Sequence, residues 1–273
     1  MTRVRVYRGR RATTDADRAA TRRLVEQVGE TGVPAVRVWR PGRQLAFGRR
    51  DTRSDGYERA REAATDHGFQ PVERSVGGRA VAYADSTLAF AYAVPTEETG
   101  AKSGLDERYA WAVETVLRAL SDCGAAVTRG EPPNAYCPGA YSVRASRESD
   151  TDSDAPDHAS DTDSDAPDHA PGGDGDASDH AAGGDSGGKI AGIAQRVHND
   201  AALVAGSVTV AEASAIRAVL RDVYDALGVP FDPDSVGSVA GAGGPAEPTP
   251  VRRALENTLV GDHDRLLRDV TEL

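Results

Sequence analysis

Gly188-Lys189-Ile190-Ala191-Gly192-Ile193-Ala194-Gln195-Arg196-Val197 reads as a β-strand: a short apolar run with β-branched residues, entered from glycine. A second strand pattern follows at 202–210. The region upstream decides how this strand is used. Residues 148–188 hold 13 acidic side chains and no lysine or arginine, and 149–159 (SDTDSDAPDHA) is repeated residue for residue at 160–170. Such a segment has almost nothing to bury, and its like charges repel. It is expected to be a disordered acidic insertion in a surface loop. A long insertion there costs little, because closure entropy grows only logarithmically with length. Cys137 and Lys189 lie 52 positions apart; setting aside the 41-residue tract leaves 11. The strand pattern at 141–143 and the one at 190–197 then become partners in one hairpin, with the acidic tract hanging from its tip and Lys189 brought near Cys137.

The tract also explains the charge. The chain has 273 residues and a formal net charge of −11, but outside the tract 30 acidic residues face 32 basic ones. The net charge therefore describes one segment, and no long basic stripe exists to favour nucleic acid. No run of 18 apolar residues is present, which argues against a membrane-spanning helix. Residues 1–6 are charged and lack the apolar core of a secretory leader. Two cysteines make no disulfide framework, so a cytoplasmic location is expected. His158, His169 and His180 recur beside aspartates through the repeat, and no metal site is expected from them.

Strand patterns are expected at 4–7, 35–39, 44–47, 71–74, 80–83, 87–94 and 126–128, and helices at 15–28, 57–67, 107–120 and 215–227. Pro41-Gly42 suggests that 35–39 and 44–47 form a hairpin. Residues 237–250 read as a flexible Gly/Pro-rich loop before helices at the C-terminus. Strands in adjacent blocks with helices between them point to one α+β domain with a mostly antiparallel sheet flanked by helices.

Three segments could carry chemistry. In 74–81, Arg74 stands beside Gly77 and Gly78, where the backbone can approach a ligand closely and the guanidinium can hold an anion; from spacing alone a plain hairpin turn is the more ordinary reading. In 134–142, Cys137 lies at a Pro138-Gly139 turn within reach of a substrate, whereas Cys123 ends an amphipathic helix and reads as packing. The third is the Lys189 strand. Of 32 basic residues, 30 are arginine and only Lys102 and Lys189 are lysine. A lysine kept inside a patterned strand of so arginine-biased a chain suggests a need for a compact ammonium. At about 4 Å from a thiolate it would contribute at most about 4 kcal/mol at an effective dielectric near 20, enough to activate a nucleophile without histidine.

These segments, in this order, resemble the biotin/lipoate A/B protein ligase family. The 74–81 stretch with Tyr83 and Asp85 is similar to its arginine–glycine substrate loop. Residues 188–196 resemble its G-[KR]-K-[IV]-x-G-x-[AS]-Q-R signature, with one basic residue where the family has two. The resemblance covers about residues 33–227. It implies the fold of class II aminoacyl-tRNA synthetases and biotin synthetases. Tyr136-Cys137-Pro138-Gly139, followed by Tyr141-Ser142, is most like the cysteine-dependent octanoyl/lipoyl protein transferases.

That branch implies covalent catalysis. Cys137 would carry the acyl group as a thioester, and Lys189 would activate it and orient the acyl carbonyl. Arg74, Gly77, Gly78, Gly192 and Gln195 would line the acyl site, and N–H groups near Gly77-Gly78 would hold the oxyanion. Arg79 replaces the third glycine of the loop. Lipoyl-domain proteins, namely the glycine-cleavage H protein and 2-oxoacid dehydrogenase E2, would be acyl donor and acceptor, without a cofactor. Two alternatives stay open: an ATP-dependent lipoate–protein ligase, in which Lys189 contacts an acyl-adenylate and Cys137 is incidental, and a non-catalytic lipoyl-binding module.

Overall fold

The computed structural model describes residues 3–74, 77–96, 104–146 and 187–273. Almost all of the 148–188 tract therefore lies outside the described residues, as do Ser75, Val76 and Lys102. Gly187 and Gly188, its last two residues, are buried.

Two sheets form. The larger one contains β1 (Arg3–Arg8), β2 (Ala35–Trp39), β6 (Leu88–Pro95), β7 (Val127–Arg129), β8 (Ser142–Ala145), β9 (Lys189–Val197), β10 (Ala201–Val208) and β11 (Asp264–Asp269), in the order β11-β1-β2-β6-β10-β9-β8-β7. The smaller one is β4 (Gln70–Glu73), β3 (Gln44–Phe47) and β5 (Val81–Tyr83). Pairing is antiparallel except at β1–β11, β1–β2 and β3–β4. The α+β class and the mostly antiparallel sheet stand. The hairpin expected at Pro41-Gly42 does not form: β2 pairs with β1 and β6, and β3 with β4 and β5. The Pro-Gly step carries the chain from one sheet to the other, a corner that local turn chemistry cannot distinguish from a hairpin.

Alternation along the central strands explains where space is left. On β6, Leu88, Phe90 and Tyr92 face a core with α3 (Leu105–Ser121) and α5 (Pro248–Val260), alongside Val204 and Val208 of β10. The opposite face carries small residues. Cross-strand partners there run Trp39–Ala89–Ser207–Gly192–Ser142 across five strands. A floor of alanine, serine and glycine leaves a trough, which α1 (Thr14–Thr31) flanks through Leu24, Val25 and Val28 packed on Tyr7, Ala35, Ala93 and Ala201. The small sheet packs on α2 (Tyr57–Asp66) and α4 (Ala213–Leu227). Ile216, Val219, Leu220 and Val223 of α4 are fully buried, each contributing about 1.5–3 kcal/mol.

The hairpin inferred across the acidic tract is present. β8 and β9 pair antiparallel, with Ser142 opposite Gly192 and Val143 opposite Ala191, and the Ala145 N–H donates to the Gly188 carbonyl at 3.0 Å. Two other expectations are corrected. The chain after α5 is not wholly helical: Asp264–Asp269 pairs in parallel with β1, and this exposed edge strand carries no clear alternation to announce it. The segment expected as a flexible loop over 237–250 is anchored turns followed by the first turn of α5. Gly237, Val239 and Ala240 donate N–H bonds to Lys189, Thr209 and Val210.

Candidate active site

A cavity of about 1050 Å³ opens between the small-residue face of the large sheet, α1 and the small sheet. Trp39, Ala89, Ser207, Gly192 and Ser142 all line it, with Tyr83, Arg74, Cys137 and Lys189. The sequence places Lys189 there through a β-bulge. Arg144 pairs with Lys189 but Val143 pairs with Ala191, so Ile190 is an extra residue. One extra residue reverses the alternation of faces, and Lys189 joins Gly192 on the cavity side. A Cβ on Gly192 would lie 3.4 Å from the Lys189 Cε and 3.8 Å from its Nζ.

Cys137 sits in a loop between β7 and β8 with φ 42°, in the left-handed region, where a non-glycine residue is strained. Three contacts hold it there. Its N–H donates to the Tyr224 Oη at 2.7 Å, and that hydroxyl donates to the Ala80 carbonyl at 3.0 Å. Its carbonyl accepts from Lys189 Nζ at 3.1 Å. The half-buried sulfur faces Arg74, whose Nη2 is 3.8 Å away. Gly78, at φ +91°, closes the site: a Cβ there would stand 2.8 Å from the Cys137 Sγ. At Cys123, burial first and Asp122 second push the thiol's pKa up.

Lys189 therefore reaches Cys137, but at the carbonyl. The ammonium also donates to the Tyr136 carbonyl at 3.2 Å and to Glu131 Oε1 at 2.9 Å. Its side chain is 3% exposed and that of Glu131 22%.

The glycine loop is braced from below. Asp51, fully buried, accepts from the Gly48 N–H at 2.9 Å and pairs with Arg79 at 3.2 Å. Arg79, the departure from the family's glycine, thus anchors the loop, and its carbonyl accepts from Arg74 Nη2. A Cβ on Gly48 would lie 2.0 Å from the Gly78 oxygen. Tyr83, Tyr136 and Tyr224 surround the sulfur, and burial pushes all three phenols up, so they stay neutral hydrogen-bond donors.

Arg74, Gly78, Gly192, Cys137 and Lys189 thus converge, with Gly77 adjacent to Gly78. Gln195 does not. It falls on the other face of β9, where its Nε2 donates to the Leu105 carbonyl at 2.7 Å and its Oε1 accepts from Arg108 Nε at 2.9 Å. Its neighbours Ala194 and Arg196 line the cavity instead, and Gln195 braces the start of α3. The sequence reading missed Tyr224, Glu131 and Asp51. A tyrosine on an apolar helix face and acids in loops give no local signal of contact with a distant cysteine loop.

A model of the lipoyl protein ligase A/B catalytic domain matches residues 16–240. The chain is 30% identical over 109 residues to an octanoyl-[GcvH]:protein N-octanoyltransferase of Exiguobacterium sibiricum, covering 40% of this chain and 39% of that protein. It is 30% identical over 121 residues to a protein of the same name from Bacillus velezensis, covering 44% and 42%. The matched stretch thus spans about two fifths of these relatives' length. A lipoate-protein ligase A solved with ATP superposes with a TM-score of 0.67 at 16% identity, over 100% of this chain and 90% of that one, which supports the fold. The extent of the family match, far beyond half of the chain, shows that the protein belongs to the lipoyl protein ligase A/B catalytic domain family.

Proposed function

We propose that the protein is an acyltransferase of protein lipoylation, moving an octanoyl or lipoyl group through a Cys137 thioester. The observation that carries the reading is the cysteine itself. It is held in a strained conformation at the wall of a deep trough, with a cation beside its sulfur. The names of the two curated relatives point the same way. The trough suits the cargo. From Gly192 to Trp39 is three strand spacings, about 14 Å, a length that takes an extended eight-carbon chain over alanine and serine.

In the first step the Cys137 sulfur attacks the acyl carbonyl carbon of an octanoylated lysine. The C–N bond breaks and the amine leaves with a proton, giving a thioester. In the second, the neutral lysine amine of an acceptor attacks the thioester, the C–S bond breaks, and the thiolate is restored. One proton is gained by the leaving amine and one lost by the entering amine. An amide is exchanged for an amide, so the sequence needs no ATP and no metal. Arg74 and the backbone at Gly77-Gly78 are positioned to stabilise charge on the carbonyl oxygen. Donor and acceptor are lipoyl-domain proteins, the glycine-cleavage H protein and 2-oxoacid dehydrogenase E2, and the setting is the cytoplasm. Among the described residues no helix is long and apolar enough to cross a membrane.

The test is transfer from octanoylated H protein to a lipoyl domain without nucleotide. The expected result is octanoylated acceptor with stoichiometric loss from the donor. Transfer only from free acid plus ATP would make the protein a ligase instead.

A further inference from the structure

We infer that Tyr224 is a positioning residue for the transfer reaction: its hydroxyl ties the cysteine loop to the end of the glycine loop and holds Cys137 where Gly78 and Arg74 meet its sulfur. The starting observation is a polar group in an apolar row. α4 buries Ile216, Val219, Leu220, Val223 and Leu227, and Tyr224 among them is 1% exposed. A phenol buried that deeply needs hydrogen-bond partners, and both of its partners are backbone groups of the site. Its oxygen accepts from the Cys137 N–H at 2.7 Å, and its O–H donates to the Ala80 carbonyl at 3.0 Å. A hydroxyl carries one hydrogen and two lone pairs, so one side chain can bridge a donor on one loop and an acceptor on the other. Burial pushes this phenol well up, which keeps the hydrogen that it donates.

The bridge falls where the geometry is most demanding. Cys137 sits at φ 42°, a conformation that persists only when the surroundings over-determine it. Tyr224 holds its N–H side, and Lys189 holds its carbonyl side at 3.1 Å. Ala80 lies two residues after Gly78, whose close approach to the sulfur leaves no room for a Cβ. The Arg74 contact, at 3.8 Å, comes from the start of the same loop. No strand pairing joins the two loops. The glycine loop lies between β4 and β5 of the small sheet, and the cysteine loop between β7 and β8 of the large one. Tyr224 reaches both from a third element. Tyr83 and Tyr136 line the cavity but Tyr224 does not, so it acts through Cys137 and not on an acyl group.

The inference rests on the acyltransferase reading for its kinetic consequence, so a second readout needs no acyl group. Tyr224→Phe removes one oxygen and keeps the ring against Phe231. In transfer from an octanoylated donor, kcat is expected to fall at least about tenfold with KM changed by less than about twofold. Exchange of the Cys137 amide hydrogen, followed by mass spectrometry, should speed up at least about tenfold. Tyr7→Phe also deletes a hydroxyl bond, the one to Gln27 at 2.6 Å, and should keep the wild-type kcat and the wild-type exchange at Cys137. A wild-type kcat in Tyr224→Phe overturns the assignment, whatever the amide does. A lower kcat with unchanged exchange also overturns it, because the hydroxyl would then act on the substrate itself. Should Tyr224→Phe fail to fold, the wild-type protein decides: a protected Cys137 amide upholds the bridge, and one exchanging like a free loop amide overturns it. If the wild-type protein transfers no acyl group, the acyltransferase reading fails and the exchange comparison alone decides for Tyr224.

Discussion

Under the proposed acyltransferase reading, Cys137→Ser is expected to abolish octanoyl transfer, with a fall in kcat/KM of at least about 10³-fold, while the melting temperature stays close to wild type. The serine Oγ keeps the size of the side chain, so the bonds from the Cys137 N–H to Tyr224 and from Lys189 to the Cys137 carbonyl survive. Chemistry is lost because a hydroxyl needs a base to remove its proton, and the neighbours of this sulfur are a guanidinium and neutral phenols. A cation beside the side chain can stabilise a thiolate; it cannot do the same for an alkoxide, whose parent alcohol holds its proton far more tightly than a thiol does. Steady-state transfer on the variant, with circular dichroism as the control for folding, checks the prediction. Residual activity within tenfold of wild type would mean that the sulfur is not the nucleophile.

Lys189→Met has the largest expected effect on stability, a loss of about 3–5 kcal/mol. The ammonium is 3% exposed and Glu131 22%, so the substitution leaves a mostly buried carboxylate without its cation. It also frees the carbonyls of Tyr136 and Cys137. At about 2–4 °C per kcal/mol for a domain near this size, the melting temperature should drop by roughly 10 °C. Adding Glu131→Gln removes the stranded charge and should return part of the loss. A double-mutant cycle in urea measures the coupling, and additive effects would contradict the pairing.

The Lys189 strand and its neighbour were legible in sequence because their pattern is local: β-branched residues, bounding glycines, and a low-complexity insertion whose removal sets the hairpin spacing. The convergence of Cys137 and Lys189 followed from that spacing alone. What escaped was long-range or sub-residue geometry. The bulge at Ile190, which turns Lys189 into the cavity, is one extra residue in a run that reads the same with or without it. Gln195 is part of the family's motif, and only the alternation from that bulge onward shows that it faces α3. The split of β2 and β3 into separate sheets depends on partners far along the chain. In sequence Arg74 reads only as a side chain able to hold an anion beside a turn; its contact with the sulfur depends on Gly78, Gly48 and Asp51 folding the loop back on itself.

Arg79 shows how one departure from a motif can be absorbed. Where the resemblance leads one to expect a third glycine, the larger side chain turns to a fully buried acid and fixes the loop from beneath. Gly78 keeps the positive φ and the close approach to Cys137. Position 79 thus carries an ion pair to the buried acid where a glycine would carry no side chain.

The covalent claim is tested most directly by the mass of the enzyme itself. The protein is incubated with octanoylated donor in the absence of nucleotide and acceptor, quenched in acid, and digested. The account predicts one octanoyl group on the peptide containing Cys137, removed by hydroxylamine and by addition of a lipoyl-domain acceptor. An unmodified Cys137 peptide under conditions where the acceptor does become octanoylated would contradict it.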